Sequence, residues 1–170
     1  MKYLIVVLML CLSLPLFSQN YVPKQTENIK ITYLPLNELQ DQINSSKSAT
    51  KIIYFYSNTC SATLEFNPII NDLYLKNKDK FELFVISRES KRNQEALNNY
   101  LFYEGLYFPV YLTNKKSFSS IIKTLCSDCN EDVMGDSSFY ILDSDNTLLA
   151  QSHYDLTADQ KKNLISKYLD

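Results

Sequence analysis

The chain is expected to fold as an α/β protein, a mainly parallel sheet with helices on both faces and an antiparallel edge. Three observations carry that expectation. Segments with strand character alternate with segments of helical period along most of the length. Ile52 to Tyr56 is an unbroken apolar, β-prone run, the pattern of a strand covered on both faces. Ser138 to Leu142 and Thr147 to His153 flank the turn Asp143-Ser144-Asp145-Asn146, and a capping box, Thr157 to Gln160, follows to open a final helix.

Taken in order, the chain starts with Lys2 and an apolar run from Tyr3 to Leu14, with Leu16 and Ser18 at plausible −3 and −1 positions. This is the pattern of a secretory signal removed near Gln19, and the run is shorter than the roughly 20 residues of a spanning helix. The protein is therefore expected to be exported, periplasmic or extracytoplasmic, with no stable membrane span after cleavage. Residues 19–49 read as an N-terminal linker holding a short strand around Ile29 to Tyr33 and an amphipathic helix at Asn37 to Asn44. Residues 50–170 form the main domain.

Within that domain, Ser57, Asn58 and Thr59 end the first buried strand, and Leu64, Phe66, Ile69, Ile70 and Leu73 then recur at helical spacing. Phe81 to Ser87 is a second buried strand. Ser90 is a candidate cap for a helix through Ala96, Leu97, Tyr100 and Leu101 that stops near Gly105. Phe108 to Thr113 is a further strand. Phe118, Ile121, Ile122 and Leu125 are spaced as a helix that runs into Cys126-Ser127-Asp128-Cys129, and Leu164, Ile165, Tyr168 and Leu169 line the last helix.

Composition narrows the function classes. The formal charge is −2 and no basic run occurs, which argues against nucleic acid. Only 2 glycines occur, so phosphate-cradling loops are excluded. The single His153 with the cysteines makes no complete metal set, and neither metal nor cofactor is expected. Asp143 and Asp145 imitate the start of a calcium loop that nothing downstream completes. Once Cys11 leaves with the signal, Cys60, Cys126 and Cys129 remain, an odd number for an oxidising compartment.

Cys60 is the leading candidate. It stands where the strand's turn meets a helix N-terminus, whose unsatisfied N–H groups and positive dipole end favour a thiolate. Cys126 and Cys129 are at the opposite kind of position, the C-terminal end of their helix, with Asp128 between them. There the readings are a local disulfide pinning the helix end, an independent redox motif, or a resolving thiol for Cys60.

The layout from about Thr50 to Asp170 resembles the thioredoxin fold, and more narrowly the exported TlpA-like thiol–disulfide oxidoreductases and redoxins. The motif SNTCSAT after the buried strand, Pro68 eight residues beyond Cys60, and GDSSFYILDSDNTLLA at Gly135 to Ala150 carry the resemblance. It implies a C-x-x-C site whose second cysteine is Thr63 here, a tryptophan position occupied by Thr59, and a cis-proline position occupied by Ser137. Pro109 fits an earlier Phe-Pro-Val segment of the longer family members. The resemblance thus implies a degenerate site in which Cys60 works as a monothiol. Thr63 would hydrogen-bond its thiolate, Thr59 and Ser137 would line the substrate groove, and Cys126 or Cys129 would resolve the mixed disulfide. Its partners would be protein thiols or disulfides, or another exported protein. Two alternatives stand beside it: a non-catalytic binding or assembly module, and a thiol peroxidase similar to the glutathione-peroxidase type.

Overall fold

The computed structural model describes residues 29–114 and 117–169. The apolar leader at residues 1–18, its cleavage near Gln19 and Cys11 lie outside the described residues.

Six strands form one sheet in the order β1-β4-β3-β2-β5-β6. They are β1 (Ile31–Leu34), β2 (Thr50–Tyr56), β3 (Glu82–Ser87), β4 (Val110–Thr113), β5 (Phe139–Asp143) and β6 (Leu148–Gln151). The first four run parallel, β5 pairs antiparallel with β2, and β6 folds back on β5. The helices are α1 (Leu36–Ser45), α2 (Ser61–Lys76), α3 (Gln94–Glu104), α4 (Phe118–Leu125) and α5 (Ala158–Ser166). The result is a thioredoxin-like α/β fold: a mixed sheet between two helical layers, ending in a hairpin and a helix.

All seven residues of β2 are buried, because it lies centrally between β3 and β5 and is covered on both faces. Its side chains alternate. Ile52, Tyr54 and Tyr56 enter a core with Phe66 and Ile70 of α2, Leu97 and Leu101 of α3, and Ile165 of α5. Ile53 and Phe55 enter the opposite core with Leu39 and Ile43 of α1 and Ile121, Ile122 and Leu125 of α4. The strand and helix of the N-terminal segment are part of this architecture, since β1 pairs with β4 in parallel over its whole length.

Local signals explain the element ends. Gly105 closes α3 at φ 66, the left-handed conformation that glycine adopts without a Cβ clash. The capping box at Thr157 and Gln160 opens α5. Asp143 Oδ1 accepts the N–H groups of Asp145 (2.9 Å) and Thr147 (2.8 Å), which fixes the hairpin turn. Ser90 departs from expectation: it precedes a 3-10 turn at Lys91–Asn93 and makes no cap hydrogen bond, so α3 begins later, at Gln94.

Candidate functional site

The carboxyl end of β2 leads through Ser57, Asn58 and Thr59 to Cys60, the extended residue just before α2. The Cys60 carbonyl accepts the N–H groups of Thr63 (3.0 Å) and Leu64 (3.1 Å), so its half-buried thiol stands at the helix entrance. Thr59 is exposed in the turn, its hydroxyl 3.1 Å from that of Ser57. Thr63 is buried, and its Oγ1 has no hydrogen-bond partner among the described residues.

Ser137 reaches this helix entrance from the segment before β5. Its N–H donates to the Phe55 carbonyl (2.8 Å), and its hydroxyl donates to the Ala62 carbonyl (2.9 Å). The Asp136–Ser137 peptide is trans, as no peptide among the described residues is cis, and Ser137 has φ 73. Proline, held near φ −65°, does not fit that backbone.

Below Ser137 lies Lys161 of α5, only 1% exposed, whose ammonium donates to Ser137 Oγ at 2.9 Å and rests 5.8 Å from the Phe66 ring centroid. Burial lowers the Lys161 pKa from the ordinary lysine value; Cys60, Asp155 and Glu65 oppose that shift. Tyr54, hydrogen-bonded to Asn67 Oδ1 at 3.1 Å, completes the cluster; burial drives its pKa far above the usual tyrosine value. Sequence reasoning missed Lys161. The available signal was its spacing, four residues before Ile165 and so on the buried stripe of α5.

The second centre begins where α4 ends. Cys126 caps that helix, donating its N–H to the Ile122 carbonyl (2.8 Å), and its own carbonyl accepts from Cys129 (3.3 Å). The two sulfurs form a disulfide, with Cα atoms 5.4 Å apart. Cys126 is buried in the α1/α4 core, Cys129 is half-buried at its margin, and Ser127 and Asp128 between them are exposed. A pocket of about 340 Å³ adjoins this loop, lined by Cys126, Ser127 and Asp128 together with Gln40 and Asn44 of α1 and Asn146 of the hairpin turn.

This disulfide corrects the expectation of a degenerate, single-cysteine site working through Cys60. Cys126 and Cys129 are paired with each other, leaving neither as a thiol to resolve a Cys60 adduct. They also lie across the sheet, in the core that Ile53 and Phe55 enter, whereas α2 packs on the face of Ile52 and Tyr54. They approach Leu142, which pairs with Lys51 near the start of β2, while Cys60 follows its end. The five-residue loop, 126–130, between α4 and the 3-10 turn cannot be read for this outcome from spacing alone; the return path of the backbone decides it.

Near Cys60 a pocket of about 310 Å³ is lined by Tyr56, Ser57, Thr59, Ser87, Arg88 and Glu89. Arg88 pairs with Asp136 at 2.7 Å beside it. Among the described residues no three His, Cys, Asp or Glu side chains gather as a metal set, and no helix is long and apolar enough to cross a membrane.

No protein-family model and no curated protein matches the chain. Solved structures do resemble it. StoA from Bacillus subtilis is 18% identical, with a TM-score of 0.53 over 71% of this chain and 85% of its own. The thioredoxin domain of a thiol-disulfide oxidoreductase from Bacteroides vulgatus is 18% identical, with a TM-score of 0.55 over 73% and 81%. A thiol:disulfide interchange protein of the thioredoxin family from Chlorobium tepidum is 11% identical, with a TM-score of 0.56 over 86% and 99%. At these identities the likeness establishes the thioredoxin-like fold.

Proposed function

We propose that this thioredoxin-fold protein is an exported thiol–disulfide exchange protein whose redox couple is the Cys126–Cys129 disulfide. The observation that carries this reading is a closed C-x-x-C disulfide whose Cys126 lines an open polar pocket and whose Cys129 is half-buried at the margin of the core. The described oxidoreductase and interchange activities of similar structures support it.

The exchange uses two steps. A substrate thiolate bonds to one sulfur of the pair, and the other departs as a thiolate. The substrate's second thiol then attacks the mixed disulfide, leaving oxidised substrate and the protein dithiol. The reverse sequence reduces a substrate disulfide, with an upstream protein dithiol restoring the reduced form.

Electrostatics sets the direction. The couple lies at the C-terminal, partially negative end of α4 with Asp128 inside the loop, and both destabilise thiolates. A couple with poorly stabilised thiolates favours its disulfide and is reducing when opened. DsbA, at about −120 mV, is oxidising for the converse reason, and thioredoxin lies near about −270 mV.

Titration against defined dithiol/disulfide mixtures, followed by alkylation and peptide mapping, tests the reading. The expected midpoint is on the thioredoxin side of that scale, with turnover of a model disulfide. A Cys126–Cys129 bond that neither opens in the titration nor exchanges would be a structural staple, and the proposal would fail.

A further inference from the structure

We infer that the pocket beside Cys126–Cys129 receives a basic peptide segment, a cysteine flanked by lysine or arginine; this rests on the redox reading of that disulfide. Two helices end on the pocket with the same polarity. Asn44 lies in the last turn of α1, and Lys123, Thr124 and Leu125 form the last turn of α4. Each C-terminal end carries a partial negative charge of about half an elementary unit.

The nearby cations Lys123 and Lys51 each face carboxylate counter-charges, Glu131 for the first and Asp143, Glu82 and Asp145 for the second. Lys47 is exposed beyond the end of α1. The last turn of α1 has no basic residue. Lys123 is bound to Glu131 at 2.9 Å. Lys51 is buried under the hairpin turn, held by the Ser144 carbonyl and the Asn146 side chain. Asp128 adds an exposed carboxylate at the loop between the sulfurs.

The lining has the other half of a lysine or arginine site. Leu125, Leu142 and Leu148 provide apolar surface for a methylene stem, and the side-chain oxygens of Gln40 and Asn44 face the pocket as acceptors for the charged head. Gln40 Nε2 is bound to the Thr124 carbonyl, and Asn146 to Lys51 and the Asn44 carbonyl. At about 340 Å³ the space takes one or two side chains of a peptide rather than a folded partner.

The test compares two peptides, each with one cysteine, flanked by lysines in one and glutamates in the other. Mass spectrometry follows their mixed disulfides with the oxidised protein. Because neighbouring charge alters a peptide thiol's own reactivity, each rate is divided by that peptide's rate with a small neutral disulfide. The lysine peptide should react roughly tenfold faster at low salt after this correction. The preference should fade at about 1 M salt, where the Debye length is near 3 Å, and should shrink in Asp128→Asn. Equal corrected rates, or a faster glutamate peptide, overturn the inference while leaving the exchange reading intact. Failure of both peptides and of a small-molecule dithiol to open the disulfide overturns both.

Discussion

Two cysteine centres stand at opposite kinds of helix end and on opposite sides of the sheet. Cys60 faces the N-terminus of α2, with the buried Lys161 ammonium and the Ser137 and Thr63 hydroxyls packed below the helix entrance. Cys126–Cys129 closes the C-terminal end of α4, next to Asp128. Positive surroundings and a dithiol pair are thus separated in this molecule. The centre with the pair has the field that favours a closed disulfide, which is why its reduced form is expected to be the reactive, reducing one.

Replacing the pair should have the largest effect. Cys126→Ser with Cys129→Ser should abolish exchange with a model disulfide, whereas Cys60→Ser should stay within about twofold of the parent, as expected for sites this far apart. The reverse pattern would invert the comparison. Denaturant unfolding should also show a loss of about 2 kcal/mol in the double variant, the loop-entropy value for so short a ring.

At the other centre, Ser137→Pro tests whether the backbone there tolerates the residue that the resemblance implies. Proline cannot adopt φ 73, and it lacks the N–H that donates to Phe55. A loss of about 3 kcal/mol or more in denaturant unfolding is expected. A neutral outcome would mean that this segment reforms easily around a proline.

Lys161→Met should have a smaller effect of opposite sign. Burial lowers the folded-state pKa of Lys161 below its unfolded value, so the unfolded chain binds more protons between the two. The penalty is complete below the folded pKa and is relieved as pH rises toward the unfolded value of about 10.4. The variant should therefore gain on the order of 1 kcal/mol at neutral pH, an advantage that disappears by about pH 10.4. A loss at neutral pH would show that the ammonium's contacts with Ser137 and Phe66 outweigh its desolvation.

The smallest effect belongs to the clamp beside the disulfide. The Glu131 pKa is lowered, first by the Ser119 hydroxyl and then by Lys123. Its contribution is present above the unfolded carboxylate value of about 4.3 and is lost as pH falls through the lower folded pKa. Hydrogen exchange near residues 126–131 should accelerate in that acid range, and Glu131→Gln should remove the step. An unchanged pH profile in the variant would exclude Glu131 as its source.

Local chemistry made much of the fold legible. The apolar run of β2, the capping box of α5 and Gly105 each act within a few residues, so sequence spacing reports them directly. The same spacing put Cys60 at a helix entrance. It did not reveal Lys161, because a lysine on an amphipathic helix is usually solvated; here Phe66 and Ser137 cover it. Nor did it choose among the readings of Cys126 and Cys129, since a C-x-x-C motif permits more than one partner.

From sequence alone came the α/β class, the strand–turn–Cys60–helix unit and the closing hairpin, all products of local period, caps and turns. Only the tertiary structure decided that Cys126 pairs with Cys129, that Ser137 takes a left-handed backbone, and that Lys161 lies buried beneath α2. The first, between residues three positions apart, turns on the distant Cys60 being placed on the other side of the sheet, and the other two depend on where distant segments meet. Residues 24 or more positions apart, such as Ser137 and Lys161, are brought together by packing, and no local pattern encodes that approach.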